Sequence, residues 1–499
     1  MTDGNAGRLA ATLAGPVEVR ETHGAWVLLT GDRALKVRKP VRLPYLDYST
    51  PERRLAAAQA EVALNAPLAP GVYLGVRALV EVPGGLALGP PAPAPAAVDV
   101  AVEMRRFDEA RTMAALCDAG TLTPEQVDAT GARIAAFHAT AEPCGGGGAA
   151  PFARRVRADV GELADLVDAS TDADALRAFA ERALRQLGPE LDARAAAGLH
   201  RDGHGDLRAE HVVLGDELLI VDRLEFDRDL RCTDVAGDLA FLLMDLELHG
   251  AAWAAERLVG AYERAGGDAG DRRLRALLAW QRAIVRAKIA ALRGDDDELG
   301  RLLALADRLA WRVRAPAVLL VAGPPASGKS TLAAALAQRT GLPVVATDPV
   351  RKALHGAAPT DRLGPEAYTE AATEAVYDEV GRRAARLAAE HGGAIVDATS
   401  RSRRLRRRLL APLRETRPVV AAVCQARPEV VAERARRRLE DPARVSDADP
   451  AVAARLAAAF EPLDGDPELD LVVAVRTDAP GDGALAALAA ALDRRPVGD

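Results

Sequence analysis

The chain has 499 residues, 49% of them hydrophobic and 27% charged, with a formal net charge of −7. That length allows about two to four separately cored domains, and the acidic balance speaks against a broad nucleic-acid or acidic-membrane surface. No apolar run approaches the roughly 20 residues of a membrane span, and MTDGNAGRLAATLAG lacks the basic region and apolar core of a signal peptide, so a cytoplasmic protein is expected.

In chain order, residues 25–30 and 33–38 read as a hairpin turning at Gly31-Asp32. Residues 51–66 read as a helix opened by Ser49/Thr50 and Pro51. VYLGVRALV (72–80) and VDVAVEM (98–104) read as strands, separated by a stiff Pro/Ala loop, GPPAPAPAA. Helical patterns run from 107 to about 200, broken at CGGGG (144–148). A small hairpin follows at 211–222, then helices to about 312. Beyond a seam at RVRAP (312–316), the strand-like AVLLVA, PVVAT, AIVDA, PVVAAVC and DLVVAV alternate with helices. That alternation predicts a parallel sheet covered on both faces. The expected domains are 1–312 and 313–499.

Two composition details bear on chemistry. Only five of the 65 basic residues are lysines (Lys36, Lys39, Lys288, Lys329, Lys352), so each is a candidate for a site needing a compact ammonium. The four cysteines, Cys117, Cys144, Cys232 and Cys424, lack metal-ligand spacing and are expected as reduced thiols.

The strongest local pattern is VLLVAGPPASGKST (318–331), a strand running into G-x-x-x-x-G-K-S and then a helix. Gly323, Pro324, Pro325, Ala326, Ser327 and Gly328 form a loop whose N–H groups can surround phosphate oxygens. Lys329 would reach the β/γ-phosphates of ATP, Ser330 would ligate Mg2+, and Thr331 opens the helix. Asp397, ending AIVDATS, is a candidate to orient the Mg2+ water shell. No glutamate follows it to activate water, which favours transfer to an acceptor over hydrolysis. Arg434 and Arg438, one turn apart in ERARRRLEDPAR, could neutralise a moving phosphoryl group or form a solvated face, with Arg427 less favoured. RSRRLRRR (401–408) is expected as an exposed helix start or a phosphate-binding surface. VVATDPVRKAL resembles P-loop kinases of the gluconate-kinase and zeta-toxin type. The resemblance implies Asp348 as proton acceptor and Arg351 as acceptor grip, with a simple helix N-cap as the other reading of Asp348.

HGDLRAEHVVLGDELLIVD (204–222), RALKVRKP, AQAEVALNAPL and VEMRRF together resemble the aminoglycoside-phosphotransferase group of protein-kinase-like enzymes, over roughly 20–310. The resemblance implies an α+β bilobal kinase-like domain preceding the α/β P-loop domain. It implies that Lys36, with Lys39 as runner-up, contacts the ATP phosphates, and that Glu61 holds the lysine. Glu103 and Met104 would offer backbone groups to adenine, Asp206 would accept the substrate hydroxyl proton, and Asp222 would bind Mg2+. His204 would brace the catalytic loop, and Asp234 and Asp238 would anchor it. His211 stands where the group usually has asparagine, as metal ligand or as neighbour of the site. ETHGAWVLL replaces the usual Gly-rich loop, a departure shared with a subgroup that carries T-H-x-x-W and LDYST. Arg286 and Lys288 are a solvated face or an acceptor wall.

The expectation is a pair of ATP- and Mg2+-dependent kinases acting on small-molecule hydroxyls, with no nucleic-acid or membrane partner and the oligomeric state open. The alternative is that one half is a nucleotide-gated regulator of the other, or that the chain is an ATP-dependent interaction switch.

Overall fold

A computed structural model describes residues 4–43, 46–167, 171–358, 360–416, 418–440, 458–478 and 481–495. The chain forms two compact units. The first comprises Met1–Asp159, Leu187–Asp271 and Leu278–Leu302; the second comprises Val160–Gln186, Arg272–Leu277 and Leu303–Asp499.

The first unit opens with a six-stranded antiparallel sheet in the order Glu18–Glu21, Ala25–Thr30, Arg33–Arg38, Ala97–Arg105, Tyr73–Val82, Gly85–Pro91. Gly31 makes the expected two-residue turn with φ 53°, opposing Thr30 to Arg33. The helix Pro51–Asn65 starts at Thr50, whose hydroxyl accepts from Arg53 N, with Pro51 at its first position. Its Ala58 packs on Val100 and Val102 of the sheet. GPPAPAPAA was expected to be all loop, but Gly85–Pro91 is a strand. It lies at the sheet edge, where a proline's missing N–H costs no ladder bond.

The rest of this unit is mainly helical, around a core that includes Met113, Ile134, Leu207, Leu239, Leu242, Leu258 and Tyr262. On it sit the hairpin Val212–Leu214/Leu218–Ile220 and the pair His200–Asp202/Cys232–Asp234. The reduced-thiol expectation is corrected here: Cys144 and Cys232 form a disulfide across 88 residues of sequence. Cys144 N donates to His200 O, and Cys232 pairs with Asp202 two residues on, so the strand pairing brings the sulfurs together. Cys117 and Cys424 are free.

The second unit holds a five-stranded parallel sheet ordered Val344–Ala346, Ala394–Asp397, Val318–Ala322, Val419–Gln425, Leu471–Arg476. Alternate residues face opposite layers, as strand geometry requires. Val318, Leu320, Val396 and Ala421 pack on Tyr377, Val380 and Leu409. Leu319, Val321, Ile395 and Val420 pack on Leu332, Leu336 and Leu488. The basic run 401–408 is not simply exposed. Arg406 of the helix Arg403–Leu410 is fully buried against Asp466, because the helix lays one stripe on the sheet. Among the described residues, no helix is long and apolar enough to cross a membrane.

Candidate functional site

In the first unit, Lys36 projects from the strand Arg33–Arg38. Its Nζ lies 2.9 Å from Glu61 Oε1 and 3.2 Å from Asp222 Oδ1. Burial alone would lower the ammonium pKa, but Asp222 and Glu61 outweigh it and hold Lys36 charged, well above the usual lysine range. Lys36 in turn holds the Asp222 carboxylate well below its usual range. Lys39, the runner-up, turns away to Glu21, Thr22 O and the Trp26 ring.

Sequence reasoning missed the second half of this network. Arg38 is buried, donates to Glu61 and Glu225, and lies over the Tyr48 ring, while Tyr48 Oη donates to Glu225 at 2.8 Å. The LDYST segment that carries Tyr48 is thereby tied to the lysine strand. The available signal was the repeat of basic side chains at 36 and 38, both on one face of a strand.

Glu103 and Met104 require a correction. Their strand is central, paired on one side with Arg33–Arg38 and on the other with Tyr73–Val82, so their backbone groups belong to the sheet. The Glu103 carboxylate meets Arg77 at 3.2 Å, and the Met104 side chain joins Tyr73, Phe107, Leu219 and Val221 in an apolar wall.

The HGD loop is set by carboxylates beneath it. Asp238 accepts from His204 N at 2.7 Å and Gly205 N at 2.9 Å, and Asp245 accepts from Ala209 N at 2.8 Å. Asp234 pairs with Arg194 and caps the helix Val235–Leu248. Gly205 has φ 87°, and a Cβ there would meet Arg231 at 3.1 Å. Asp206 is half-buried, with Arg208 Nε 3.1 Å from its Oδ1. His204 donates from Nε2 to Val221 O and accepts Asp206 N at Nδ1, so it is neutral and positions the loop.

His211 Nδ1 lies 2.8 Å from Asp206 O, a carbonyl that can only accept, so this nitrogen carries the proton. Nε2 faces Asp222 Oδ2 at 3.6 Å and, in the neutral ring, would present a lone pair there. That separation is too long for a hydrogen bond and brings two donor atoms within reach of one divalent cation. The pair fits Mg2+ that is otherwise held by phosphate oxygens and water, and the imidazole also suits transition ions. Among the described residues there is no cluster of three or more His, Cys, Asp or Glu able to cage a metal by protein alone. Of the expected acceptor wall, Arg286 pairs with Asp245 and Glu298, and Lys288 with Asp159.

Burial pulls the His204 imidazole pKa down to about 4. The unfolded chain binds a proton here near pH ~6.5, which the folded chain refuses until about 4. This stability is therefore whole above about pH 6.5 and is lost as pH falls toward 4. Burial alone would raise the Asp238 pKa, but hydrogen bonds from His138 and His204 N hold it well below the carboxylate range, a loss of the same sign at lower pH. The urea midpoint is expected to fall through this window, and His204→Gln is expected to flatten the fall. An unchanged profile in the variant would contradict this assignment.

In the second unit, the loop between Val318–Ala322 and the helix Lys329–Thr340 is a built cradle. A Cβ on Gly323 would strike Cys424 O at 2.8 Å, and Gly328 caps the helix with φ 93°. Lys329 Nζ donates to Pro324 O at 2.9 Å, closing the turn over Pro325, Ala326 and Ser327. Ser327 Oγ is buried without a hydrogen-bond partner. Ser330 Oγ donates to Asp397 Oδ2 at 2.7 Å, and this hydroxyl–carboxylate pair fits Mg2+ by the chemistry of its oxygens. Thr331 and Gly328 line a cavity of about 360 Å³ with Arg434, Arg437 and Thr477. Arg434 Nη2 donates to Thr477 O at 2.7 Å. The Arg438 side chain lies outside the described residues. Arg427 pairs with Asp478.

Asp348 lies one residue inside the helix Thr347–Leu354, whose N-cap is Ala346, so the simple N-cap reading does not hold. Arg351 differs from expectation. It is buried, donates to Ala367 O and stacks over Tyr368 at 4.8 Å, since the turn Pro365–Tyr368 folds onto it.

Among the described residues, three non-glycine residues have positive φ: Asp222 (59°), Ala326 (62°) and Ser400 (53°). All three lie at these two sites, where strained backbone is held by its surroundings. Tyr73 Oη accepts Asp222 N, and Tyr377 Oη accepts Ser400 N.

An uncharacterized protein of Mycobacterium tuberculosis strain H37Rv, Rv2004c, is 33% identical over 466 residues, covering 89% of this chain and 90% of that protein. The chain belongs to the Rv2004c family. Mb2027c of Mycobacterium bovis matches with the same identity and coverage. A family model described as AAA domain matches residues 318–463. Solved structures similar to parts of the chain include a gluconokinase from Sinorhizobium meliloti 1021, with 21% identity, 36% of this chain, 91% of that chain and TM-score 0.27. A choline/ethanolamine kinase family protein from Mesorhizobium loti has 18% identity, 60% and 92% coverage, and TM-score 0.36. A thermostable mutant of aminoglycoside phosphotransferase APH(4)-Ia has 13% identity, 59% and 94% coverage, and TM-score 0.38.

Proposed function

We propose that this member of the Rv2004c family carries two ATP-dependent phosphotransfer sites, one in each unit. Each moves a γ-phosphoryl group to a hydroxyl of a small molecule of sugar, amino-sugar or nucleoside type. The observation that carries the reading is the convergence on Lys36. Glu61 and Asp222, 25 and 186 residues away in sequence, meet one half-buried ammonium beside the HGD loop. The second unit supports it with a phosphate cradle and the Ser330–Asp397 pair.

At the first site Lys36 binds phosphate oxygens and Glu61 keeps it aimed, while Asp206 orients the acceptor hydroxyl and accepts its proton. Asp222 and His211 would hold the divalent cation, which when bound neutralises phosphate charge. At the second site the loop N–H groups and Lys329 bind the phosphates, and Ser330 and Asp397 would hold Mg2+. The cavity beside Gly328 and Thr331 takes the nucleoside end under Arg434, and Asp348 accepts the hydroxyl proton. Catalysis is positioning and charge neutralisation. Dependence on ATP favours a cytoplasmic protein, with small molecules rather than nucleic acid or membrane as partners.

Lys36→Ala and Lys329→Ala are each expected to remove one of two product-forming activities and spare the other, measured by γ-labelled phosphate transfer to a panel of sugars, amino sugars and nucleosides. Loss of all transfer in either variant would replace two independent sites with regulation or strict coupling of one by the other.

A further inference from the structure

The helix Val235–Leu248 presents Asp238, Phe241 and Asp245 along one face, at helical spacings of three and four residues. Asp238 holds the start of the loop 204–209, and Asp245 holds its end. Asp206 is therefore carried above the stretch that contains Phe241. The helix Arg272–Arg293 meets the same face one turn apart. Arg286 pairs with Asp245, and Arg282, four residues earlier, stacks its guanidinium 5.0 Å from the centre of the Phe241 ring. One helix face thus carries both the loop that bears Asp206 and the ring that Arg282 stacks on, and Arg282 feels the Asp206 charge.

Arg282 is half-buried, and among the described residues no carboxylate lies within ion-pair distance of it. On the neighbouring helix, Asp159 is already engaged by Gln281 Nε2 and Lys288 Nζ, each at 2.9 Å. A second guanidinium stands one turn before Asp159: Arg155, half-buried, donates only to the Asp229 carbonyl. Burial pulls both guanidinium pKa values below the usual arginine range; the Arg282 charge lowers that of Arg155 further, and Asp159 offsets part of the fall in both. Two half-buried cations whose shared neighbouring acid, Asp159, is committed to Gln281 and Lys288 are costly unless a further anion arrives.

We infer that the acceptor of the first site carries an anionic group, a carboxylate or a phosphate monoester, gripped by Arg282 and Arg155 while its hydroxyl faces Asp206. Guanidinium forks match both anions. The inference rests on the reading of Asp206 as the acceptor-facing group, and it excludes polycationic acceptors from this site.

The test uses the full chain with Lys329→Ala, saturated with a non-hydrolysable ATP analogue, and probes matched in pairs: glucose with gluconate, ribose with ribose 5-phosphate, and kanamycin as polycation. Binding is followed by calorimetry, and transfer is followed separately with ATP. The anionic members are expected to bind at least about tenfold more tightly than their neutral partners, and Arg282→Ala is expected to erase that preference with analogue affinity unchanged. Arg282→Lys is expected to keep part of it, which separates charge from folding. Equal binding of neutral and anionic members, tighter binding of kanamycin, or an anion preference that survives in Arg282→Ala would overturn the inference. Anion preference without any transfer would leave it standing and remove the proposed activity of the site. Transfer to neutral acceptors alone would do the reverse.

Discussion

Arg406→Ala is expected to destabilise the second unit by about 3–5 kcal/mol. The side chain is fully buried, and Asp466, its partner at 2.6 Å, is 3% exposed. The same guanidinium also donates to the carbonyls of Ser400 and Pro462, at 2.9 and 3.2 Å. Alanine would leave a buried carboxylate and these carbonyls without their donor, and such unpaired groups are far more costly than a missing pair. Replacing both partners, Arg406→Met with Asp466→Leu, removes the unpaired carboxylate and is therefore expected to recover part of the loss, the carbonyls still lacking a donor. Denaturant unfolding of the three chains checks this, and a single-variant effect below about 0.5 kcal/mol would return Arg406 to the solvated class. Activity of the second site should also drop in the single variant. Arg406 and Tyr377 hold Ser400 from its C=O and N–H sides, and Ser400 has φ 53° three residues after Asp397.

Asp238→Ala is expected to cost the first unit a similar amount, about 3–5 kcal/mol, and to lower transfer at its site by roughly a hundredfold. Asp238 is fully buried and accepts from His204 N and Gly205 N, with His138 Nε2 at 3.1 Å. Removing it orphans two backbone donors next to Asp206 and one ring nitrogen. Binding of the ATP analogue should change little, because Lys36 and Glu61 are held by other contacts. A proportional loss of analogue binding and turnover would mean that Asp238 only maintains the fold. Asp238→Asn, which keeps one oxygen acceptor, should fall between wild type and alanine.

The parts legible in the sequence share a physical property: their function is carried by contiguous chain. The cradle at 323–331 is made of backbone N–H groups and glycine conformations in one loop, so spacing alone describes it. The hairpin at 25–38 and the helix at 51–65 were readable from turn and cap residues for the same reason. Alternation of five apolar strands with helices predicted a parallel sheet, because only a doubly covered sheet buries strands on both faces.

The misread parts depend on neighbours distant in sequence. Glu103 and Met104 were expected to offer backbone groups to adenine, but which backbone groups a strand leaves free is decided by the strands that flank it. Arg351 was aimed at an acceptor, yet the turn Pro365–Tyr368 folds over it. Arg38, Glu225 and Tyr48 went unnoticed because each alone is an ordinary surface residue type. Only their meeting around Glu61 makes them part of the site.

By itself the sequence determined most of the element types and the glycine-bounded loop at 323–331. Local backbone preferences and hydrophobic period act over a few residues, and those distances are written in the chain. The tertiary structure alone decided which lysine turns inward, which arginines are buried, which cysteines are joined, and that Arg282 stacks on Phe241. Charge pairing and burial depend on three-dimensional neighbours, and residues 88 or 186 positions apart become neighbours only when the core closes.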